Sequence, residues 1–267
     1  MKVKIKSKKI KNRFIYGELL ENKKSNFLAI FLSGFSGSKE LPLFKQSSRF
    51  FFKKGYSVLR FNFCNDSDDK KQMTSAIKLE EMNFSIYTEE LKNILDTLGK
   101  NYSHFLMVGH SFGAAIFVTF LSKYKKYRKN SELVLWDPSL LPWKRKWMEE
   151  DFSFDKNKNL YRSKRSKEFM NKTFYNECIN IKNTVGIFRA LNKESLIVAA
   201  TKIGKKNAGK YLQKQHNKKG SKMIIIDGAS HSFGEKRHQI KLFNETFEFL
   251  TREDIKIGKK NALEAEW

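Results

Sequence analysis

Three short segments of this chain hold residue types that together could perform acyl transfer. Gly109-His110-Ser111-Phe112-Gly113 has GxSxG spacing, in which flanking glycines let the backbone turn sharply and leave the serine hydroxyl exposed. A serine hydroxyl is a weak nucleophile and needs a neighbouring base. His231, in Gly228-Ala229-Ser230-His231-Ser232-Phe233, is the candidate, because imidazole takes up and returns a proton near neutrality. The third segment is the glycine-bearing loop Ser33-Gly34-Phe35-Ser36-Gly37-Ser38-Lys39-Glu40. Backbone N–H groups of Phe35 and Phe112 are the expected donors to the negative charge that develops on a carbonyl oxygen under attack. Among the other histidines, His110 is expected to face away from the role of Ser111, and His104, His216 and His238 to be exposed or to pack on helices.

Such chemistry requires the three segments to meet at one edge of a rigid scaffold. Short apolar runs alternate with amphipathic stretches, which predicts an α/β domain with a mostly parallel sheet. Lys2 to Ile10 and Phe14 to Leu20 read as an antiparallel ribbon at the start. Strands are expected at Phe27–Leu32, Tyr56–Phe63, His104–Val108, Leu133–Trp136, Ser195–Thr201 and Lys222–Ile226. Helices are expected at Leu41–Lys54, Tyr87–Leu98, Phe112–Lys123 and Glu235–Leu250, the last with Ile240, Phe243, Phe247 and Leu250 on one stripe. Each chemical segment therefore directly follows a strand. Between Pro138 and Asn192 the pattern turns polar and basic, punctuated by aromatics from Trp143 to Tyr175. So long a run without a strand is unusual as a plain loop, and residues 139–192 are expected to form a helical lid inserted in a single domain spanning 1–267.

Composition narrows the function classes. The 267 residues include 53 Lys+Arg against 28 Asp+Glu, a formal net charge of +25. The cations are mostly Lys and are scattered along the chain, whereas recognition of phosphates and guanine favours Arg forks; no specific nucleic-acid partner is expected. The densest basic run, Lys202 to Lys222, could still attract anionic ligands. Apolar runs stay far below the roughly 18 to 20 residues that cross a bilayer. The basic N-terminus lacks the apolar stretch of a secretory signal and reads as the start of the mature fold. Cys64 and Cys178 are too few for a disulfide scaffold or a thiolate zinc site, and the five histidines include no HExxH. A cytoplasmic location fits.

The loop SGFSGSKE, the elbow GHSFG and the histidine loop GASHSF resemble the α/β-hydrolase superfamily, specifically the bacterial serine-hydrolase branch of esterases and serine aminopeptidase-like enzymes with a HGFTGSKE-like oxyanion loop. The resemblance runs from about Phe14 to Leu250 and is weakest in the Pro138–Asn192 insertion. It implies the order nucleophile, acid, histidine along the chain, which Ser111 before His231 obeys. Three departures stand out. Ser33 holds a position where the family usually has His. Asn62 to Asp69 replaces a glycine-rich turn after the fourth strand. After Thr201, where the acid commonly follows its strand, the chain continues Lys202-Ile203-Gly204 without a carboxylate. A variation of the fold carries the acid at the end of the preceding strand, here Asp137, whose task is to hold the imidazole tautomer. Asp227 stands too close in sequence to His231, and Glu149, Glu150, Asp151 and Asp155 are alternatives that must fold inward. The implied function is a serine hydrolase acting on a small-molecule carboxylic ester or thioester, with no cofactor or metal required. The missing carboxylate after Thr201 is the best support for the alternative, a catalytically silent binding protein on the same scaffold.

Overall fold

A computed structural model describes residues 1–35, 37–65, 79–140, 145–164, 168–180, 184–201 and 220–252. Most of the basic run after Thr201, His216, Trp143 and residues 66–69 of the loop after the fourth strand lie outside them. The N-terminal ribbon pairs β1 (Lys2–Lys6) with β2 (Phe14–Leu20) antiparallel. Alternation buries Val3, Ile5, Ile15 and Leu19 on one face. β1 stops at Lys6 instead of running to Ile10. Just past it the Glu90 carboxylate accepts from the Ser7 hydroxyl at 2.6 Å and the Lys9 amide at 2.7 Å, so side-chain bonds replace the ladder.

The chain then alternates. β3 (Phe27–Leu32), α1 (Pro42–Lys53), β4 (Ser57–Asn65) and α2 (Phe84–Leu98) precede β5 (His104–His110), α3 (Phe112–Lys123), the short α4 (Lys125–Lys129) and β6 (Ser131–Trp136). α2 begins three residues before the expected position, because Asn83 caps it by accepting from the Ile86 amide at 2.8 Å. The insertion that follows contains helices, as expected, in α5 (Arg145–Asp151), α6 (Lys172–Asn180) and α7 (Thr184–Leu191). It also holds a small antiparallel sheet of β7 (Phe152–Asp155), β8 (Leu160–Ser163) and β9 (Phe169–Met170) that the sequence did not announce. β10 (Ser195–Ala200), β11 (Lys222–Ile226) and α8 (Lys236–Leu250) are the last described elements.

Among the described residues the central sheet has eight strands, in the order β1-β2-β4-β3-β5-β6-β10-β11. Every pair from β4 onward is parallel, and β1 and β2 are the antiparallel edge. Burial on both faces explains why β3, β5, β6 and β10 read as continuous apolar runs. One face packs against α2, α3 and the insertion; the other packs against α1 and α8. On that second side Trp136 is fully buried and its indole donates to the Thr246 hydroxyl at 3.0 Å. α8 turns Leu242, Phe243, Phe249 and Leu250 inward, whereas Ile240 is 50% exposed and does not belong to the buried stripe. The helix is seated on Gln239, Leu242 and Thr246, which at 3.6 residues per turn lie about 100–160° around the helix from Ile240.

Candidate active site

The parallel strands end together, and the three chemical segments leave from that edge. β5 passes into α3 with almost no turn, and Ser111 absorbs the change of direction at φ 53° and ψ −118°. Non-glycine residues rarely occupy this region, at a cost of about 1–3 kcal/mol. Crossing the elbow so tightly demands glycine on both sides. A Cβ on Gly109 would stand 2.6 Å from the Ala114 backbone, and one on Gly113 would stand 2.5 Å from the Leu32 carbonyl oxygen. Gly34 is pressed equally close: a Cβ there would lie 2.9 Å from the Ser111 Cβ.

His231 reaches the elbow from the turn after β11, where the Phe233 amide bonds the Ser230 carbonyl at 2.9 Å. Its Nε2 lies 2.9 Å from the Ser111 Oγ, within hydrogen-bond reach. On the other side of the ring, Nδ1 bonds the Asp137 Oδ2. Asp137 caps the end of β6 at φ 39°, a conformation that Asp tolerates better than most residues. Its amide donates to the Val198 carbonyl at 2.6 Å and its Oδ1 accepts from the Ala200 amide at 3.3 Å. The carboxylate is 6% exposed while the imidazole is 35% exposed. A carboxylate so buried needs partners to stay charged, and His231 with the Ala200 amide supplies them. The structure thus brings Ser111, His231 and Asp137 into one hydrogen-bonded chain.

The other acids weighed from sequence stand elsewhere. Asp151 accepts from the Ser163 hydroxyl at 3.0 Å, Asp155 caps its own turn through the Asn157 and Lys158 amides, and Glu149 and Glu150 are exposed. Asp227 accepts from the Thr201 hydroxyl at 2.8 Å. Thr201 therefore occupies the end of β10 as a hydroxyl that ties the two strand ends together. The Cys178 thiol is buried, and burial pushes its pKa up, which keeps it protonated and unreactive.

Phe112 is the first residue of α3, whose leading N–H groups have no acceptor within the helix. Phe35 follows directly after the glycine pressed against Ser111, and its ring meets Phe112 edge-on at 5.8 Å between centroids. Phe174, from the insertion, packs on both at about 6 Å. A small cavity of about 10 Å³ remains beneath this loop, lined in part by Leu32, Phe63, Tyr87 and Ile116.

Two neighbours were not foreseen. His110 is buried, its Nε2 bonds the His231 carbonyl oxygen at 2.7 Å, and the two rings lie 4.7 Å apart. Its place inside the elbow pointed it away from the role of the nucleophile but could not show that the histidine loop returns there. Ser139 places its hydroxyl 3.1 Å from the Ser111 Oγ and its amide on the Ser111 carbonyl at 3.0 Å. Nothing in its Asp-Pro-Ser context signals this.

No protein-family model and no curated protein sequence matches this chain. Solved structures do. Est1E from Butyrivibrio proteoclasticus with ferulic acid bound superposes with a TM-score of 0.71 at 15% identity, over 94% of this chain and 100% of that one. The esterase domain of a Rhodothermus marinus protein gives 0.66 at 16% identity, over 94% and 97% of the two chains. Alpha/beta hydrolase domain-containing protein 10 from mouse gives 0.66 at 13% identity, over 94% and 98%. At such identities likeness speaks to architecture, and the architecture of this chain is the α/β-hydrolase fold.

Proposed function

We propose that the protein is a serine hydrolase that cleaves a carboxylic ester or thioester through an acyl-enzyme. The observation that carries this reading is the continuous hydrogen-bonded chain from the Ser111 Oγ through His231 to Asp137. Ser111 Oγ adds to the substrate carbonyl as its proton passes to Nε2 of His231, and the carbonyl oxygen becomes an oxyanion facing the Phe35 and Phe112 N–H groups. Collapse breaks the bond to the leaving alcohol or thiol, which takes the proton from Nε2. Water then repeats the sequence on the acyl-enzyme and returns the serine. Asp137 holds Nδ1 protonated throughout and stabilises the imidazolium.

The bulky rings around the elbow favour a small-molecule acyl substrate, and residues 139–192 serve as a cap on a single domain. Structural neighbours with esterase in their names lean the same way by analogy of fold. The absence of a carboxylate after β10 does not speak for a silent binding protein, because His231 has its carboxylate from β6. The test is a panel of p-nitrophenyl esters and acyl-thioesters of increasing chain length, assayed with wild type beside Ser111→Ala. Turnover by the wild type that Ser111→Ala abolishes supports the reading. Wild-type inactivity across the panel, or equal rates in both proteins, overturns it.

A further inference from the structure

A groove of about 540 Å³, whose lining includes none of Ser111, His231 and Asp137, lies between the N-terminal ribbon and α1. It exists because the sheet extends past its helix: α1 covers β3 and β4, while β1 and β2 continue beyond it. The pairing register sets Lys2 opposite Glu18 and Glu18 opposite Arg60, a charged row across the floor. Lys45 and Arg49, one helical turn apart on α1, form the wall. Lys39 and Glu40 close one end.

Positive charge predominates there. The lining has five Lys and Arg side chains against two carboxylates, and Lys39 and Arg60 are only 4% and 8% exposed. Long cationic side chains are seldom buried without strong pairing. Here one carboxylate is shared among three of them. Glu40 meets Lys45 at 2.7 Å, Lys39 at 2.9 Å and Arg60 at 3.2 Å. Burial raises its carboxyl, but the three cations outweigh that and bring it down to about 2. Glu18 pairs with Arg60. Arg49 makes no ion pair or hydrogen bond among the described residues and lines the groove. Concentrating like charge in a concavity focuses the field on whatever enters.

We propose that this groove is a binding site for a phosphorylated small molecule, separate from the hydrolytic centre. Its volume lies in the range of small-molecule sites, about 300–1,000 Å³, and exceeds what a lone inorganic ion fills. The fork of Arg49 and the ammonium of Lys45 match phosphate oxygens in charge and donor geometry. Leu20, which also lines the groove, offers apolar surface for the uncharged part of such a ligand.

Isothermal titration calorimetry of the full chain at fixed ionic strength tests this, with pyrophosphate as probe and citrate as the carboxylate alternative. Saturable one-to-one binding of pyrophosphate is expected. The double variant Lys45→Ala with Arg49→Ala should weaken it at least tenfold, since charge-assisted hydrogen bonds contribute about that much each. Glu18→Gln removes negative charge and releases Arg60, and should tighten binding. Ser111→Ala should bind as the wild type does, so the outcome is independent of the hydrolase reading. Lys23→Ala with Lys24→Ala, on an exposed turn outside the groove, is the charge-matched control. Absence of saturable heat, equal weakening by control and groove variants, or tighter binding of citrate than of pyrophosphate would overturn the proposal.

Discussion

Asp137→Asn changes one atom of the site and lets the consequence be worked through. The two carboxylate oxygens have different partners: Oδ2 meets Nδ1 of His231, and Oδ1 accepts from the Ala200 amide at 3.3 Å. An asparagine in the same rotamer keeps its carbonyl oxygen opposite the Ala200 N–H and turns its NH2 toward Nδ1. Nδ1 must then accept, the ring proton moves to Nε2, and Nε2 no longer takes the proton of Ser111. A comparable change in a well-studied triad costs about ten-thousandfold in turnover, or about 5 kcal/mol of activation free energy. The flipped amide would restore the correct tautomer, but it sets N–H against N–H in a buried place. Such an unsatisfied donor costs about 1–3 kcal/mol, so at 2 kcal/mol about one molecule in thirty is competent. Turnover of Asp137→Asn is therefore expected between about thirtyfold and ten-thousandfold below wild type. The assay is kcat on a p-nitrophenyl ester, with circular dichroism to verify folding. Adding His231→Ala to Asp137→Asn should cost much less than His231→Ala alone, because the residues act as one unit. An Asp137→Asn protein within about threefold of wild type would refute this assignment of the acid.

The remaining predictions concern how the scaffold is held. Gly113→Ala drives a methyl group into the Leu32 and Ser33 carbonyls and should cost about 1–3 kcal/mol or more in denaturant unfolding, with activity falling as the elbow shifts. Thr246→Val leaves the buried Trp136 N–H without its acceptor, and a loss of about 1–3 kcal/mol is expected in the same measurement. Glu40 has a folded pKa below its usual value, so its ionised form stabilises the fold above about pH 4.5 and that contribution fades as pH falls toward about 2. Acid unfolding of Glu40→Gln compared with wild type should show the difference shrinking over that window; a constant difference would contradict it.

The sequence made the scaffold legible wherever strands are buried on both faces, because continuous apolar runs such as Leu28–Leu32 and Leu196–Ala200 have few other uses in a chain this polar. Ser111, His231 and the two amide positions followed from one requirement, that chemistry sit on loops leaving the same strand ends. Asp137 could not be reached from local pattern, since an Asp-Pro at a strand end is ordinary turn chemistry and only the pairing of β6 with β10 carries it to His231. The insertion was misjudged in detail because β7, β8 and β9 span four, four and two residues, too short to show a period. Ile240 was drawn into the wrong stripe because a polar residue, Gln239, takes the buried place instead. The groove beside α1 left no signal at all: its cations come from four separate stretches of a chain that is basic throughout.

The central claim is that Ser111 is an activated nucleophile, and labelling by a fluorophosphonate probe addresses it without knowledge of the substrate. Intact-mass and peptide mapping should find a single adduct on Ser111 that disappears in Ser111→Ala and forms far more slowly in His231→Ala. A wild-type protein that stays unlabelled, or an adduct mapped to Ser139 or elsewhere and retained in Ser111→Ala, would contradict the account.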